Sequence, residues 1–356
     1  MPVGFDQEQG QLYQRVYVLS GGMNSAFPKP TVPETEATNM SGCLTSLGHI
    51  VPGFVANTEK WTVSEVVRYM FKYYGATEKL VLLGNTKCWV YSATTPTEKT
   101  PTPAFTSQTY QMWKGKTLIS ASAPVAVINN YGFDKPHYYD GGAGAFLILT
   151  NAPAMRNFCG WGGRMLGANV FDVSWLVNRL QWSKLNDVTI WSVGADISCG
   201  SLDLFDESDA IQNIEVTTGN IVIIFRRNSI YLGLPNSDVT NPMQSQYLSS
   251  YGILAPFSLQ RAGNTFFYLG DGDVYTIVGY EEPTSIGFKI RETLFATYDP
   301  ATIQYAWSFL DKVNHLYYLV LRQLDTTWKA WIYNYEQQSW SYQDLSGIYS
   351  IGEWYA

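Results

Sequence analysis

The chain has 356 residues, of which 46% are hydrophobic, 15% aromatic and only 15% charged. That apolar content excludes a disordered chain, and no run reaches the roughly 18 uncharged apolar residues of a membrane span, so none is expected. Twenty-three basic against 30 acidic side chains leave a formal charge of −7, with no cationic cluster larger than Arg226-Arg227, which argues against a protein that grips nucleic acid through many phosphate contacts.

Residues 11–19 alternate well enough for one strand, and 22–40, rich in Pro, Gly, Thr and Asn, read as a long loop or assembly arm. Val63, Val66, Val67, Met70, Phe71 and Tyr74 recur at helical spacing, Thr62 and Glu65 have the form of a capping box and Gly75 could close the last turn, so the spacing predicts one helix there. The pattern then turns to strands. Residues 79–83 and 88–91 flank Gly84-Asn85 as a hairpin, and 93–109, rich in Thr and Pro, read as an exposed loop. Strands are expected at 116–120, 123–130, 146–149, 155–158 and 164–170. From 178 to 287 the chain reads strand, turn, strand repeatedly, with runs at 178–183, 219–225, 229–231, 251–256 and 267–275. Short apolar runs broken by Gly-Asn or Asp-Gly are hairpins in series. Residues 316–321 pair plausibly with 330–335, 339–342 follow as an outer strand, and 349–354 form a closing strand that pairs with a distant part of the chain.

Apolar strand, Gly/Asn/Asp turn and aromatic strand recur about six times, a number within the propeller range. The fold expected is therefore all-β: a six-bladed β-propeller with one short helix and long loops. Residues 1–50 form an N-terminal strand and extended loop or arm. Residues 51–356 form the propeller, its C-terminal strand helping to close the ring, because an open ring leaves exposed strand edges. A surface poor in charge and rich in Tyr, Asn, Ser and Thr suits a subunit that buries part of itself in an assembly.

Chemistry is sparse. Cys43, Cys88, Cys159 and Cys199 lie far apart with no Cys-x-x-Cys pair, which points to buried thiols. His49, His137 and His315 have no neighbouring Cys or His, so neither a metal site nor a cofactor is expected. The N-terminus lacks the basic start and apolar run of a signal peptide. No phosphate loop, dinucleotide fingerprint or nucleophile elbow is present. The stretch 183–191 is similar in part to the Asp-box hairpin of sialidase-like propellers, a structural turn, although Asp and Gly miss their places. Asp203, Asp206, Glu207 and Asp209 crowd one acidic loop. They are the candidates for paired glycosidase carboxylates or for calcium ligands, but the loop lacks the EF-hand spacing and reads equally as a solvated turn.

Several residues in order carry a resemblance. They are 130–140 (Asn-Tyr-Gly-Phe-Asp-Lys-Pro-His-Tyr-Tyr-Asp) and 178–183 (Asn-Arg-Leu-Gln-Trp-Ser), then Ile223-Ile224-Phe225 with Ser229-Ile230-Tyr231. Gly252 with Ala255, Pro256 and Ser258, Gly270-Asp271-Gly272, and Ile286-Gly287 ahead of Phe295 complete the set. From about residue 79 to 294 the chain resembles the tail nozzle proteins of short-tailed bacteriophages, also called tail tubular or DNA-stabilisation proteins. The resemblance implies a β-propeller that assembles as a homohexamer, a virion component of the phage tail put together in the host cytoplasm. Its tube would extend the channel below the portal and its adaptor ring, and fibres or a needle would attach outside. Packaged double-stranded DNA would be retained there and would leave without specific binding during DNA ejection. The family has no shared catalytic residues, so no enzyme activity is expected. The alternative is a carbohydrate-binding or glycan-cleaving propeller of a phage tail, which calls for an aromatic cleft with paired carboxylates. A scaffold propeller would need regular WD-type repeats, and none is present.

Overall fold

The computed structural model describes residues 62–351, apart from 93–94, 111, 206–208 and 346–349, and, of the first 61 residues, the backbone of six short strands. Six four-stranded antiparallel sheets follow one another along the chain, at 69–98, 114–148, 154–203, 211–249, 260–285 and 307–345, and each is built from one continuous stretch. They are blades 1 to 6 of a propeller, as the recurring hairpins predict. Within a blade, successive strands pair antiparallel, several of them through tight turns. Asn220 adopts a positive φ of 61° and Gly272 one of 77° at the predicted Gly-Asn and Asp-Gly corners, where left-handed backbone closes a hairpin.

The core lies between blades. Val81, Leu83 and Val90 of blade 1 pack on Trp113, Ala126 and Ile128 of blade 2. Val125 and Val127 meet Met155, Phe158 and Val170 of blade 3, and Leu166 and Leu180 meet Ile214, Val222 and Ile224 of blade 4. Ile223 and Phe225 meet Phe266 and Tyr268 of blade 5, and Phe267 and Leu269 meet Tyr317, Leu319 and Trp331 of blade 6. Chain order is thus ring order. Between blades 6 and 1 two chain segments intervene: Val63 and Val67 cover one face of blade 1, Ile351 covers blade 6, and the Ser350 hydroxyl donates to the Val67 carbonyl at 2.9 Å. Outside Ser350 and Ile351, the closing strand expected at 349–354 lies beyond the described residues.

Most predicted strands are present, including 79–83 with 88–91, 316–321 with 330–335, and Ser339–Leu345 at the outer edge of blade 6. Gln11–Val16 is a strand, paired with Val3–Glu8. In the predicted loop 22–40, Gly22–Met23 and Glu36–Ala37 pair in parallel, and the rest is outside the described residues.

Three expectations fail. Residues 63–74 are not a helix: Tyr69–Tyr74 is the first strand of blade 1, aligned with Glu78–Leu83. Helical spacing lost there to cross-strand pairing, which an aromatic run such as Tyr-Met-Phe-Lys-Tyr-Tyr favours. The helix of the described residues is Arg291–Thr297, between blades 5 and 6. Residues 251–256 are not a strand either, because only Ile253 bridges, to Gly270, while Leu254 and Ala255 turn into the core. The loop 93–109 is only partly exposed, since Thr97–Glu98 joins blade 1 and Phe105 is buried against Trp113.

Glu65 caps a turn rather than a helix. Its carboxylate accepts from the Thr86 amide at 2.9 Å, the Lys87 amide at 3.3 Å and the Thr86 hydroxyl. Burial opposes its ionisation, but the bonds from Thr86 and Lys87 outweigh it and hold the carboxyl below its ordinary value. Glu65→Gln is therefore expected to cost about 1.5 kcal/mol in urea unfolding at neutral pH. A depressed carboxyl stabilises above its unfolded pKa and loses that contribution as pH falls through its folded value. The difference between the two proteins should therefore vanish on acidification.

Candidate functional site

The first strand of each blade is innermost, and those of blades 1, 2, 4, 5 and 6 line a channel of about 610 Å³. Aromatic contacts span the ring on the side where the inner strands begin. Tyr131, in the turn after the second strand of blade 2, lies 5.2 Å from Phe257, which precedes the inner strand of blade 5. Blades 2 and 5 are opposite each other in a ring of six, so this contact crosses the axis. Tyr110 and Tyr305, each just ahead of an inner strand, stack at 4.2 Å, and the Arg156 guanidinium lies 4.7 Å above both Tyr131 and Trp175. All these residues sit where inner strands begin. Lys72, Arg261 and Lys312 sit where those strands finish.

The wall is cationic. Arg68, Lys72, Lys114, Lys116, Arg261 and Lys312 line it, with Glu215 the one carboxylate among the lining residues. Lys114 and Lys116 are two apart on the inner strand Lys114–Ser120, so both face one way. Between them Gly115 leaves room for the Phe71 ring, into which a Cβ would run. The Lys114 ammonium donates to Asn213 Oδ1 at 2.7 Å and to the Ile214 carbonyl at 3.1 Å, reaching blade 4 past blade 3. Lys116 donates to both oxygens of Glu215, from which Lys114 stands 4.0 Å away. Two lysines thus share one carboxylate. Burial pushes the Lys114 amine down to about 8, against the pull of Glu215. Burial alone would raise the Glu215 carboxyl, but Lys116 and Lys114 hold it below its ordinary value. Burial also drives the Tyr69 hydroxyl, on the blade 1 wall, up to about 12.

Asparagines stitch neighbouring blades around this centre. Asn129 Nδ2 donates to the Met155 carbonyl at 2.8 Å, Asn169 Nδ2 to Ile211 at 3.0 Å, Asn157 Nδ2 to Gln212, and Asn213 Nδ2 to Pro256. Gln260 Nε2 continues the series to the Ser308 carbonyl of blade 6 at 2.8 Å. Each bond satisfies a buried backbone acceptor and fixes the blade-to-blade angle.

A second cavity, of about 510 Å³, lies between blades 5 and 6. Phe267, Phe288, Tyr333, Tyr335 and Trp340 supply aromatic surface, and Thr265, Thr276, Thr284 and Ser285 supply hydroxyls. Lys289 is the one charged residue of its lining.

The residues singled out from sequence are scattered. Cys88, Cys159 and Cys199 are buried free thiols, and burial raises all three. Cys43 and His49 have no described side chain. His137 is buried edge-on to Phe105, and burial lowers it. His315 occupies a turn at φ 57°. In the segment similar to an Asp-box, Asp187 Oδ1 accepts from the Thr189 amide at 2.9 Å and from its hydroxyl at 2.6 Å, a turn-forming role. The acidic loop does not converge on a site: Asp203 pairs with Arg179 at 2.6 Å, while Asp209 is buried and accepts from the Asn228 amide and the Ser229 hydroxyl. Asp206 and Glu207 lie outside the described residues. Among the described residues no three His, Cys, Asp or Glu side chains form a metal-binding group. Sequence reasoning passed over Lys114, Lys116 and Glu215. The Lys-Gly-Lys alternation was a usable signal for two cations on one strand face, but nothing local tied it to Glu215.

No family model matches the chain, and no curated protein does. Solved structures do. The extracellular domain of a candidate hybrid two-component system from B. thetaiotaomicron superposes with a TM-score of 0.52 at 9% identity, over 83% of this chain and 37% of that one. A candidate one-component system of the same organism gives 0.50 at 10% identity, over 81% and 36%. Streptogramin B lyase gives 0.49 at 11% identity, over 82% and 88%. This chain spans little more than a third of the two sensor chains. At such identities the likeness is one of fold alone, and the chain is a six-bladed β-propeller.

Proposed function

We propose that this chain is a structural subunit of a phage tail nozzle, without enzymatic activity, that assembles with copies of itself into a ring around a DNA channel. The observation that carries the reading is what the residues bearing the resemblance do. Gly252 lets the chain pass against the carbonyls of Arg226 and Arg227, where a Cβ would lie 2.5–2.6 Å from backbone atoms. Ser258 is buried, donates to the Ala255 carbonyl at 2.7 Å and accepts from the Leu269 amide at 2.9 Å. Asn130 Oδ1 accepts from the Asp134 amide at 2.8 Å and so shapes the 130–136 turn. Gly287 leaves space for Asp273, and Trp182 and Phe225 are core. These are positions of architecture, as suits a family that shares a shape and no reactive centre.

Because the propeller axis is crossed by aromatic rings, DNA in this reading runs between subunits, around whose common axis the copies close by rotation. In the same reading the adaptor ring and the fibre or needle proteins hold the two ends of the tube. The test is assembly: native mass measurement and electron microscopy of the full chain should find a ring six times the 40.0 kDa chain. A protein that stays monomeric at high concentration and in the presence of the adaptor would remove the proposal. The groove between blades 5 and 6 favours a second reading, a carbohydrate-binding propeller, since aromatic faces with hydroxyls suit sugar rings. A glycan array without hits would dispose of it.

A further inference from the structure

We infer that the axial channel is a binding site for one small polyanion, a multiply charged phosphate or carboxylate compound, seated against Lys114, Lys116 and Arg261. Three observations converge. The channel holds about 610 Å³ between the inner strands, a concave form in which a small ligand loses much of its contact with water. Its lining carries six cations and one carboxylate, with Lys72 paired to Glu78 outside the lining, so the centre keeps an excess of positive charge in a chain whose net charge is −7. At its centre two partly buried lysines share the buried Glu215. Buried charge is stable when it is paired, and this triad keeps one positive charge in excess.

Arg261 completes the site. Its guanidinium donates to the carbonyls of Val216, the residue after Glu215, and of Gly263. It forms no ion pair with a carboxylate among the described residues. A planar guanidinium beside two ammonium groups is a donor set for a polyanion rather than for a neutral ligand. Trp113, Phe257 and Trp307 supply apolar wall to the same channel, toward the end where the inner strands begin. Restricted water strengthens each of these attractions.

The ammonium of Lys114 is faced by Glu215 from blade 4, Lys116 on its own strand and Cys159 from blade 3, and Tyr69 of blade 1 approaches Glu215 and the Gly115 backbone. With its amine near 8, rising pH removes the Lys114 cation from the site. Anion affinity should therefore fall as pH passes about 8.

The experiment is calorimetric titration of the full chain with inorganic pyrophosphate and, separately, with citrate, against sodium chloride at matched ionic strength. One site per chain is expected, weakened at least about tenfold in Lys114→Met and in Arg261→Gln and weakened again above about pH 8. Binding of pyrophosphate alone assigns a phosphate ligand, and binding of citrate alone a carboxylate. Should Lys114→Met fail to fold, Lys116→Met and the pH series on the unaltered chain carry the test. Heats no larger than those of chloride, or binding that none of the variants and no change of pH weakens, would overturn the inference. It is independent of the tail reading, because ring assembly and anion binding are scored by different measurements.

Discussion

Glu215→Gln is expected to destabilise the propeller by about 3–5 kcal/mol, the cost of removing one partner from a buried charge cluster. The substitution keeps the side-chain volume and deletes the carboxylate that Lys114 and Lys116 share. Two ammonium groups would then stand without a counterion, Lys114 keeping Asn213 Oδ1 and the Ile214 carbonyl as acceptors and Lys116 losing the carboxylate to which it donates. The pH dependence identifies the cause. In the native chain the Glu215 carboxyl is held below its ordinary value, burial opposing and the lysines prevailing. Its contribution is present above the unfolded carboxylate pKa and is lost as pH falls through the folded one. Denaturant midpoints of the two proteins should thus converge in acid. A gap that stays constant down to low pH would mean that shape, not charge, was lost. Adding Lys114→Met to Glu215→Gln should recover part of the stability, since one lysine rather than two then lacks a counterion.

Gly252→Ala should cost about 3 kcal/mol, at the upper end of overpacking effects. The added methyl would lie 2.5–2.6 Å from the carbonyl oxygens of Arg227 and Arg226, and backbone gives way less readily than a side-chain tip. Relief would have to break the bond from the Ile253 amide to the Arg226 carbonyl at 2.9 Å and the one from Leu254 to Leu269 at 2.8 Å. Those two bonds carry the chain from blade 4 into blade 5. Gly144→Ala is the control, because a Cβ there meets nothing within 4 Å, and it should stay within about 0.5 kcal/mol of the unaltered chain. If both variants unfold at the same urea concentration, the crossing at Gly252 is not tight.

The blades were legible because each is a local object. Alternating apolar residues and Gly-Asn or Asp-Gly corners specify a hairpin within a few residues, and the three outer strands of blade 6 could be drawn from residues 316–342, though its inner strand Trp307–Asp311 was not. The segment 63–74 was misread because its apolar spacing fits both a helix and a strand, and its partner Glu78–Leu83 decided between them. Residues 251–256 look like a strand in isolation, yet a single bridge at Ile253 leaves them as a crossing between blades. The channel was illegible for a different reason. Lys116 and Glu215 are 99 residues apart, and which strand of each blade faces the axis is set only when the ring closes. The buried thiols, by contrast, could be inferred from spacing alone, since no pair was near enough to suggest shared chemistry.

The Tyr131–Phe257 contact has a mechanical meaning. A propeller is ordinarily a necklace whose links touch only their neighbours, so one link can loosen while the far side stays intact. Here a tie-bar joins opposite sides, and Tyr110 on Tyr305 adds another strut. Local opening of blade 2 must let go of blade 5 as well, which raises the free energy of partial unfolding toward that of the whole domain. A body braced in this way transmits load across its diameter instead of around its rim.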